Sequence, residues 1–223
     1  MDTDEDEIDF LRQLDMLSPR DLDGVEVTVV GAGGIGSFTI PALAKMGVTN
    51  LTIYDDDVVE PHNLPNQSYR PQDLGHSKVE AIASICGDFT KVRPNAVASK
   101  LGSIRPEGIV ISGVDSMRSR KAIWKNISWN PNVRCYIDAR MGAEMLQIFT
   151  IDPCDEEQVI FYEKSLFDDK NAFVAPCTNR AIIYTGYFVA AFICNQLKKV
   201  VKEEKVIKEI IFDCRKTPTL LMR

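Results

Sequence analysis

Short apolar runs alternate with segments of helical periodicity through the first half of the chain. Predicted strands cover residues 27–30, 51–54, 96–104 and 109–114, and predicted helices cover 34–46, 78–89 and 118–127. Gly47 is the expected C-cap of the first of these helices, and Pro41 is expected to kink it. Strands that alternate with helices at this spacing predict right-handed crossovers and a largely parallel, twisted sheet.

The second half of the chain has a different pattern. Two strand-like runs at 134–139 and 145–151 are separated only by "RMGAE", which predicts a hairpin, and "KEIIFDC" and "TLLMR" predict another antiparallel pair. Between these pairs lie an irregular stretch, 153–176, which we expect to be a crossover loop, and a predicted helix over 179–203.

These patterns predict an α/β fold of the Rossmann-like kind. We expect a mixed, mainly parallel sheet with helices on both faces and antiparallel strands in the C-terminal half. The expected domain organisation is an N-terminal helical segment over 1–24, with a short helix ending near Ser18 and Pro19, followed by a single domain over 25–223.

Charge and composition argue against several classes of function. The formal net charge of −6 argues against nonspecific nucleic-acid binding, which needs a surplus of Lys and Arg. The acidic N-terminus is unlike a signal peptide, and the longest apolar run, 181–194, is too short to cross a bilayer. We therefore expect a soluble cytoplasmic protein. None of the six cysteines is spaced as C-x-x-C, so no zinc is expected.

A glycine cluster directly follows the first predicted strand and opens the first helix. Gly31, Gly33 and Gly36 satisfy G-x-G-x-x-G, in which the glycines allow a tight turn, close approach to phosphate, and close packing of helix on strand. Asp55 ends the second strand, where its carboxylate can accept hydrogen bonds from a ribose. These features predict nucleotide binding, and NAD and ATP fit them equally well.

Two residues further along favour a nucleoside triphosphate. Asp115 follows an apolar strand, and the carboxyl ends of parallel strands converge on one crevice, so Asp115 should face the same cleft as Asp55. A triphosphate site needs a carboxylate for Mg²⁺ and a cation for the leaving phosphates. Asp115 and Lys78 supply these two groups.

Five segments together resemble a known family. They are "VVGAGGIGS", "LAKMGVTNLTIYDDDVVEPHNLPNQ", "LGHSKVEA", "VDSMRSR" and "CTNRAIIYTG". In this order, from about Arg12 to the end of the chain, they resemble the ubiquitin-activating-enzyme-like adenylyltransferases, which include the ThiF, MoeB and HesA proteins.

The resemblance implies an ATP- and Mg²⁺-dependent adenylation. The implied nucleotide-binding residues are Gly31, Gly33, Gly34, Gly36, Asp55, Asp57, Asn63, Gln67 and Lys78. Asp55 would hold the ribose, Asn63 and Lys78 the phosphates, and Asp115 the Mg²⁺. The substrate would be a ubiquitin-like or sulfur-carrier protein that ends in Gly-Gly, whose terminal carboxylate attacks the α-phosphate and expels pyrophosphate. The enzyme is expected to be a homodimer.

The chain departs from the family pattern at several positions. Asn66 stands where the family places an Arg that touches the ATP phosphates, and Arg70 is a candidate to compensate. Arg12 resembles a family Arg that reaches the ATP site of the neighbouring subunit; an ordinary surface Arg is an equal alternative. Cys177 is either a nucleophile with a pKa lowered by a helix N-terminus or a buried structural thiol.

Two other functions remain open from the sequence. The glycine fingerprint alone also fits an NAD-dependent oxidoreductase. The replacement of the family Arg by Asn66 fits a nucleotide-binding scaffold whose catalytic activity is weakened.

Overall fold

One eight-stranded mixed sheet organises the described part of the chain. The computed structural model describes residues 8–167, 182–215 and 217–223. The strands are β1 Val27–Val30, β2 Leu51–Tyr54, β3 Asn95–Val97, β4 Gly108–Ser112, β5 Val133–Gly142, β6 Met145–Ile151, β7 Glu209–Asp213 and β8 Thr219–Met222. The helices are α1 Gly36–Met46, α2 Lys78–Thr90, α3 Met117–Ile127, α4 Glu156–Glu163 and α5 Ile183–Val201. Short 3-10 helices cover Pro19–Leu22, Pro61–Asn63 and Pro71–Asp73.

The strand order confirms the predicted fold class. It is β3-β2-β1-β4-β5-β6-β7-β8, with parallel pairing from β3 to β5 and antiparallel pairing from β5 to β8. Strands β2 and β3 are added in turn on one side of β1, and strands β4 and β5 are added in turn on its other side. This reversal lies between the neighbouring strands β1 and β4, and such a switch point opens a crevice at the carboxyl ends of the strands.

Both faces of the parallel half of the sheet are covered. Ile109 and Ile111 of β4 point into a core that is closed by α1, α2 and α5. Val110 points to the other face and joins a second core closed by α3 and α4. This double cover explains why β1 is buried at all four positions and why the central strands read as continuous apolar runs.

Three local predictions were wrong. The N-terminal segment has no helix ending at Ser18 in its described part; instead Ser18 caps the 3-10 helix that begins at Pro19. The strand predicted over 96–104 is only Asn95–Val97, since the chain leaves the sheet edge there. The stretch 153–176, predicted to be irregular, contains α4, which Asp155 caps by accepting a hydrogen bond from the Gln158 backbone.

The N-terminal segment is attached to the end of α1. The side-chain amide of Gln13 donates to the Met46 carbonyl at 3.0 Å, and the Phe10 ring lies against Gly47. Gly47 has φ +102°, as expected for a helix C-cap. In the described ranges, no helix is both long enough and apolar enough to cross a membrane.

Candidate functional site

The carboxyl ends of β1, β2 and β4 meet at one point. The Gly31 amide donates to the Tyr54 carbonyl at 2.8 Å, and the Gly113 amide donates to the Val30 carbonyl at 2.9 Å. Asp55 and Asp115 follow β2 and β4 by one and three residues, so both lie at the edge where the glycine loop begins. The two residues thus follow the same ends of neighbouring parallel strands, which is the placement on which the prediction of a shared crevice rests.

The glycine loop, residues 31–36, is packed so closely that two of its positions exclude side chains. Gly31 has φ +98°, and a Cβ on it would lie 3.0 Å from the Gly113 carbonyl oxygen. A Cβ on Gly36 would lie only 1.9 Å from the Gly31 oxygen. Gly33 is different, because a Cβ there would meet no atom within 4 Å. Gly33 therefore borders open space, which leaves the backbone free for close approach by a ligand.

Ala32, at the centre of this loop, is held by two side chains. Asp55 Oδ2 accepts a hydrogen bond from the Ala32 amide at 2.7 Å, and the Tyr69 hydroxyl donates to the Ala32 carbonyl at 2.6 Å. Burial, followed by the nearby charge of Asp55, raises the pKa of Tyr69, so its hydroxyl remains a donor. Asp55 Oδ1 also accepts from the Asp57 amide at 2.9 Å. Each carboxylate oxygen keeps a second lone pair for a ligand hydroxyl.

Lys78, at the start of α2, is paired with Asp57. Its ammonium lies 2.7 Å from Asp57 Oδ2, and its backbone amide donates to the Asp57 carbonyl at 3.0 Å. The Lys78 side chain is 8% exposed and that of Asp57 is 66% exposed, so the pair opens to solvent on the Asp57 side. An ammonium has three donor hydrogens, so Lys78 can keep this pair and also donate to an anion.

Asp115 lies on the loop between β4 and α3, and its side chain is exposed. The adjacent Ser116 caps α3 by accepting from the Ser119 amide at 3.1 Å. A carboxylate is a hard oxygen ligand of the kind that Mg²⁺ binds.

The segment 63–67 runs alongside the glycine loop. A Cβ on Gly34 would lie 3.8 Å from the Asn66 carbonyl oxygen. The amide oxygen of Asn63 accepts from the Glu60 backbone at 2.9 Å, which leaves its amide nitrogen as a donor. The side-chain oxygens of Asn66 and Gln67 are buried and have no hydrogen-bond partner among the described residues. Buried side-chain oxygens normally have a partner, so these two oxygens, in a segment beside the loop, fit a site that holds a polar ligand.

Arg70 was expected to be available in place of the family Arg at Asn66, but its guanidinium is held by other partners. Its guanidinium forms ion pairs with Asp73 and Asp88, and Asp73 Oδ2 also accepts from the Arg70 backbone amide at 2.7 Å. The suggestion that Arg70 compensates for Asn66 is therefore not supported, because both carboxylates already hold the guanidinium. Arg12 is exposed on the N-terminal segment, and Cys177 lies outside the described residues.

The first turn of α5 also reaches the glycine loop. A Cβ on Gly186 would lie 2.5 Å from the Phe38 ring and 3.1 Å from the Gly34 carbonyl oxygen, so only glycine permits this approach. Thr185 Oγ1 donates to the Ala143 carbonyl at 3.1 Å, which ties the same turn to the β5–β6 hairpin.

Comparison with known proteins identifies the family. The model of the ThiF family matches residues 8–208, which is most of the chain. The chain belongs to the ThiF family.

Part of the chain is similar to curated enzymes. Ubiquitin-like modifier-activating enzyme 5 of Drosophila grimshawi is 31% identical over 127 residues, covering 46% of this chain and 32% of the relative. Adenylyltransferase and sulfurtransferase UBA4 of Yarrowia lipolytica is 41% identical over 75 residues, covering 34% of this chain and 17% of the relative. The chain thus spans about a third or less of the length of these relatives.

Solved structures share the ThiF fold. E. coli MccB with ATP superposes with a TM-score of 0.67 at 18% identity, covering 92% of this chain and 65% of that one. PaaA superposes with a TM-score of 0.70 at 17% identity, with the same coverage of both chains. At these identities the likeness establishes the fold alone.

The sequence did not reveal the role of every residue that shapes the candidate site. Arg120 and Gly186 lie within the segments "VDSMRSR" and "CTNRAIIYTG", but the sequence assigns them no role, and it assigns none to Tyr69 or Asp138. One signal was available for Asp138: it is a charged residue inside the apolar run "CYIDA" of a predicted strand. For Tyr69 and Gly186, the contacts that matter come from elements distant in sequence.

Proposed function

We propose that this chain catalyses ATP- and Mg²⁺-dependent adenylation of the C-terminal carboxylate of a ubiquitin-like or sulfur-carrier protein, with release of pyrophosphate. The observation that carries the proposal is the bond between Asp55 and the glycine loop at the strand switch point of a ThiF-family chain; the Lys78–Asp57 pair follows the same strand β2, and Asp115 follows β4 at the same edge of the sheet. The curated relatives are named for the activation of ubiquitin-like modifiers and for adenylyl transfer, which supports the same reaction class.

ATP fits the groups that the crevice offers. The open backbone at Gly33, which lies just before the N-terminus of α1, would receive phosphate oxygens, since a helix N-terminus favours anions. Asp55 would accept hydrogen bonds from the ribose hydroxyls through its remaining lone pairs. Lys78 and the amide nitrogens of Asn63 and Gln67 would donate to the phosphates, because a rotated Gln amide presents NH₂ in place of its buried oxygen.

Asp115 is the residue we assign to Mg²⁺. Asp55, Asp56 and Asp57 are also close enough together to share a cation, with ligand oxygens within 4.8 Å of one another. Asp57 is already paired with Lys78, however, and Asp56 lies 3.4 Å from the ammonium of Lys100. Bound Mg²⁺ would neutralise charge on the triphosphate.

The reaction needs positioning more than acid–base chemistry. The carrier carboxylate is already an anion at neutral pH, so it attacks the α-phosphorus without a general base, and the bond to the β-phosphate oxygen breaks. The residues of the crevice hold the phosphates in line and offset the charge of the leaving pyrophosphate. We further propose a homodimer in which Arg12 reaches the neighbouring subunit, and we keep Cys177 as a candidate acceptor thiol.

ATP–pyrophosphate exchange with a carrier ending in Gly-Gly tests this function. We expect exchange in the wild type and a loss of roughly 100-fold or more in Asp115→Ala. The matched control is Asp23→Ala, which removes an exposed carboxylate just before the amino end of β1, whereas the crevice lies at the carboxyl end. Equal exchange in Asp115→Ala and the wild type would show that the assignment of Asp115 is wrong.

A second candidate function rests on Asn66. The family Arg is absent there, and Arg70 is held by Asp73 and Asp88. A triphosphate site with one guanidinium fewer fits a scaffold that binds nucleotide without turnover. ATP binding without exchange across several carriers would favour this scaffold over the enzyme.

A further inference from the structure

A buried carboxylate on β5 holds two guanidinium groups together. Asp138 is completely buried; its Oδ1 accepts from Arg120 Nε at 2.7 Å and its Oδ2 accepts from Arg140 Nε at 2.9 Å. The Tyr162 hydroxyl also donates to Oδ2, at 3.1 Å. The Arg120 side chain is 5% exposed and that of Arg140 is 15% exposed. Buried charges of this kind are costly unless they are paired, so each cation depends on Asp138.

Arg120 connects this cluster to the loop that carries Asp115. The Arg120 Nη2 atom donates to the Val114 carbonyl at 2.7 Å and to the Ala139 carbonyl at 3.2 Å. Val114 directly precedes Asp115. A single planar guanidinium therefore fixes the backbone next to Asp115 against β5, and its orientation is set by Asp138.

Arg140 connects the same carboxylate to a different element. Its terminal nitrogens donate to the Ser165 carbonyl at 3.1 Å and to the Ser165 hydroxyl at 2.8 Å, just after α4. Its guanidinium also lies over the Phe149 ring, 4.7 Å from the centroid. The two arginines thus share one partner, but only Arg120 bonds to the Asp115 loop.

We propose that the Arg120–Asp138 ion pair positions Asp115 for Mg²⁺, an inference that rests on the proposed function of Asp115. Arg120 and Asp138 are positioning residues, since they act on Asp115 through the Val114 carbonyl. Arg is suited to this task because its rigid fork donates to Asp138 and to Val114 at once, whereas the ammonium of Lys is a compact point charge. Asp138 keeps the fork aligned because it is completely buried, where a charge-assisted hydrogen bond is stronger than at the surface.

A matched pair of substitutions separates positioning from simple stabilisation. Arg120→Lys keeps the positive charge but cannot reproduce the fork that joins Asp138 to Val114. Arg140→Lys perturbs the same buried carboxylate on the side away from the Asp115 loop. Both should lower the melting temperature, because both disturb buried hydrogen bonds. Only Arg120→Lys should change the Asp115 loop.

Hydrogen exchange of segment 113–119 in the ligand-free protein gives the first measurement. We expect about tenfold faster amide exchange in Arg120→Lys and exchange close to that of the wild type in Arg140→Lys. This measurement requires neither ATP nor a carrier, so it remains informative if the proposed adenylation fails. Unchanged exchange in Arg120→Lys would overturn the proposal.

Calorimetric titration of ATP, with Mg²⁺ and with EDTA, gives the second measurement. In Arg120→Lys we expect the gain in ATP affinity due to Mg²⁺ to shrink about tenfold, because a displaced carboxylate binds its ligand poorly. Arg140→Lys should keep that gain within about twofold. Equal losses in both variants, or none in Arg120→Lys, would show that the pair only stabilises the fold. If Arg120→Lys does not fold, Arg120→Gln replaces it in both measurements, because it removes the guanidinium fork and leaves the pairing of Arg140 with Asp138 in place.

Discussion

Two glycines in the same loop leave different amounts of room. At Gly36 the Gly31 carbonyl occupies the space that a methyl group would need, so glycine is required by packing alone. At Gly33 nothing lies within 4 Å of the Cβ position, so the fold itself does not require glycine there. The difference suggests that Gly33 serves the ligand and Gly36 serves the turn.

Alanine at these two positions should therefore have different effects: at Gly36 it should lower the stability of the fold, and at Gly33 the affinity for ATP. Gly36→Ala should destabilise the protein by about 1–3 kcal/mol, because the methyl group overlaps a backbone oxygen that cannot move freely. For a chain of this length the melting temperature should fall by about 2–12 °C. Gly33→Ala should melt within about 2 °C of the wild type but bind ATP about tenfold more weakly. Thermal melts and ATP titrations check this; equal melting temperatures in the two variants would contradict it.

At the scale of elements, side-chain caps fix how each short helix begins. Asp73 closes the 3-10 helix Pro71–Asp73 by accepting from the Arg70 backbone amide and from its guanidinium. Burial would by itself raise the pKa of Asp73, but the hydrogen bonds from Arg70 outweigh it and lower the pKa. The segment 63–73 runs from beside the glycine loop towards the start of α2, so this cap lies five residues before Lys78.

The stability that Asp73 contributes should depend on pH. Because its pKa is lowered on folding, the contribution is complete above the unfolded value of about 3.9 and is lost as the pH falls through the lower folded value. Asp73→Asn should thus reduce the free energy of unfolding by about 1 kcal/mol at pH 7. The difference from the wild type should shrink as the pH falls below about 4.

Urea unfolding of the wild type and of Asp73→Asn, at pH 7 and at about pH 3, measures this difference in the free energy of unfolding. The control is Asp88→Asn, which removes the other, more exposed partner of Arg70 and should cost less than about 0.5 kcal/mol. A loss in Asp73→Asn that is the same at both pH values would contradict the assignment.

At the scale of the whole molecule, the crevice is assembled from elements that are distant in sequence. The ends of β1, β2 and β4, the starts of α1, α2 and α5, and the segment 63–67 all border the glycine loop or its partners. A ligand that bridges so many elements should stabilise the folded chain as a unit.

Mg-ATP should therefore raise the melting temperature, and NAD should not. At a concentration near 100 times Kd, binding adds about 2.7 kcal/mol, which corresponds to a rise of about 5–10 °C for a chain of this length. Differential scanning fluorimetry with Mg-ATP, with ATP plus EDTA, and with NAD distinguishes the ligands. A rise with NAD and none with Mg-ATP would favour the oxidoreductase instead.

The sequence by itself determined the fold class and named the residues of the candidate site. Apolar runs and turn residues are local signals, so they placed the central strands, the hairpin and the glycine loop. The rule that parallel strands end at one edge then brought Asp55 and Asp115 together. Local patterns did not predict two elements correctly. Both α4 and the three-residue β3 depend on tertiary packing, which the periodicity does not reveal.

Only the tertiary structure decided which partner each charged group has. It paired Lys78 with Asp57, committed Arg70 to Asp73 and Asp88, and placed Asp138 between two arginines. These contacts join residues up to 21 positions apart, and their strength depends on burial that the sequence does not record. For this reason a motif can name the residues of the crevice, while the folded chain determines which of their charges remain available to a ligand.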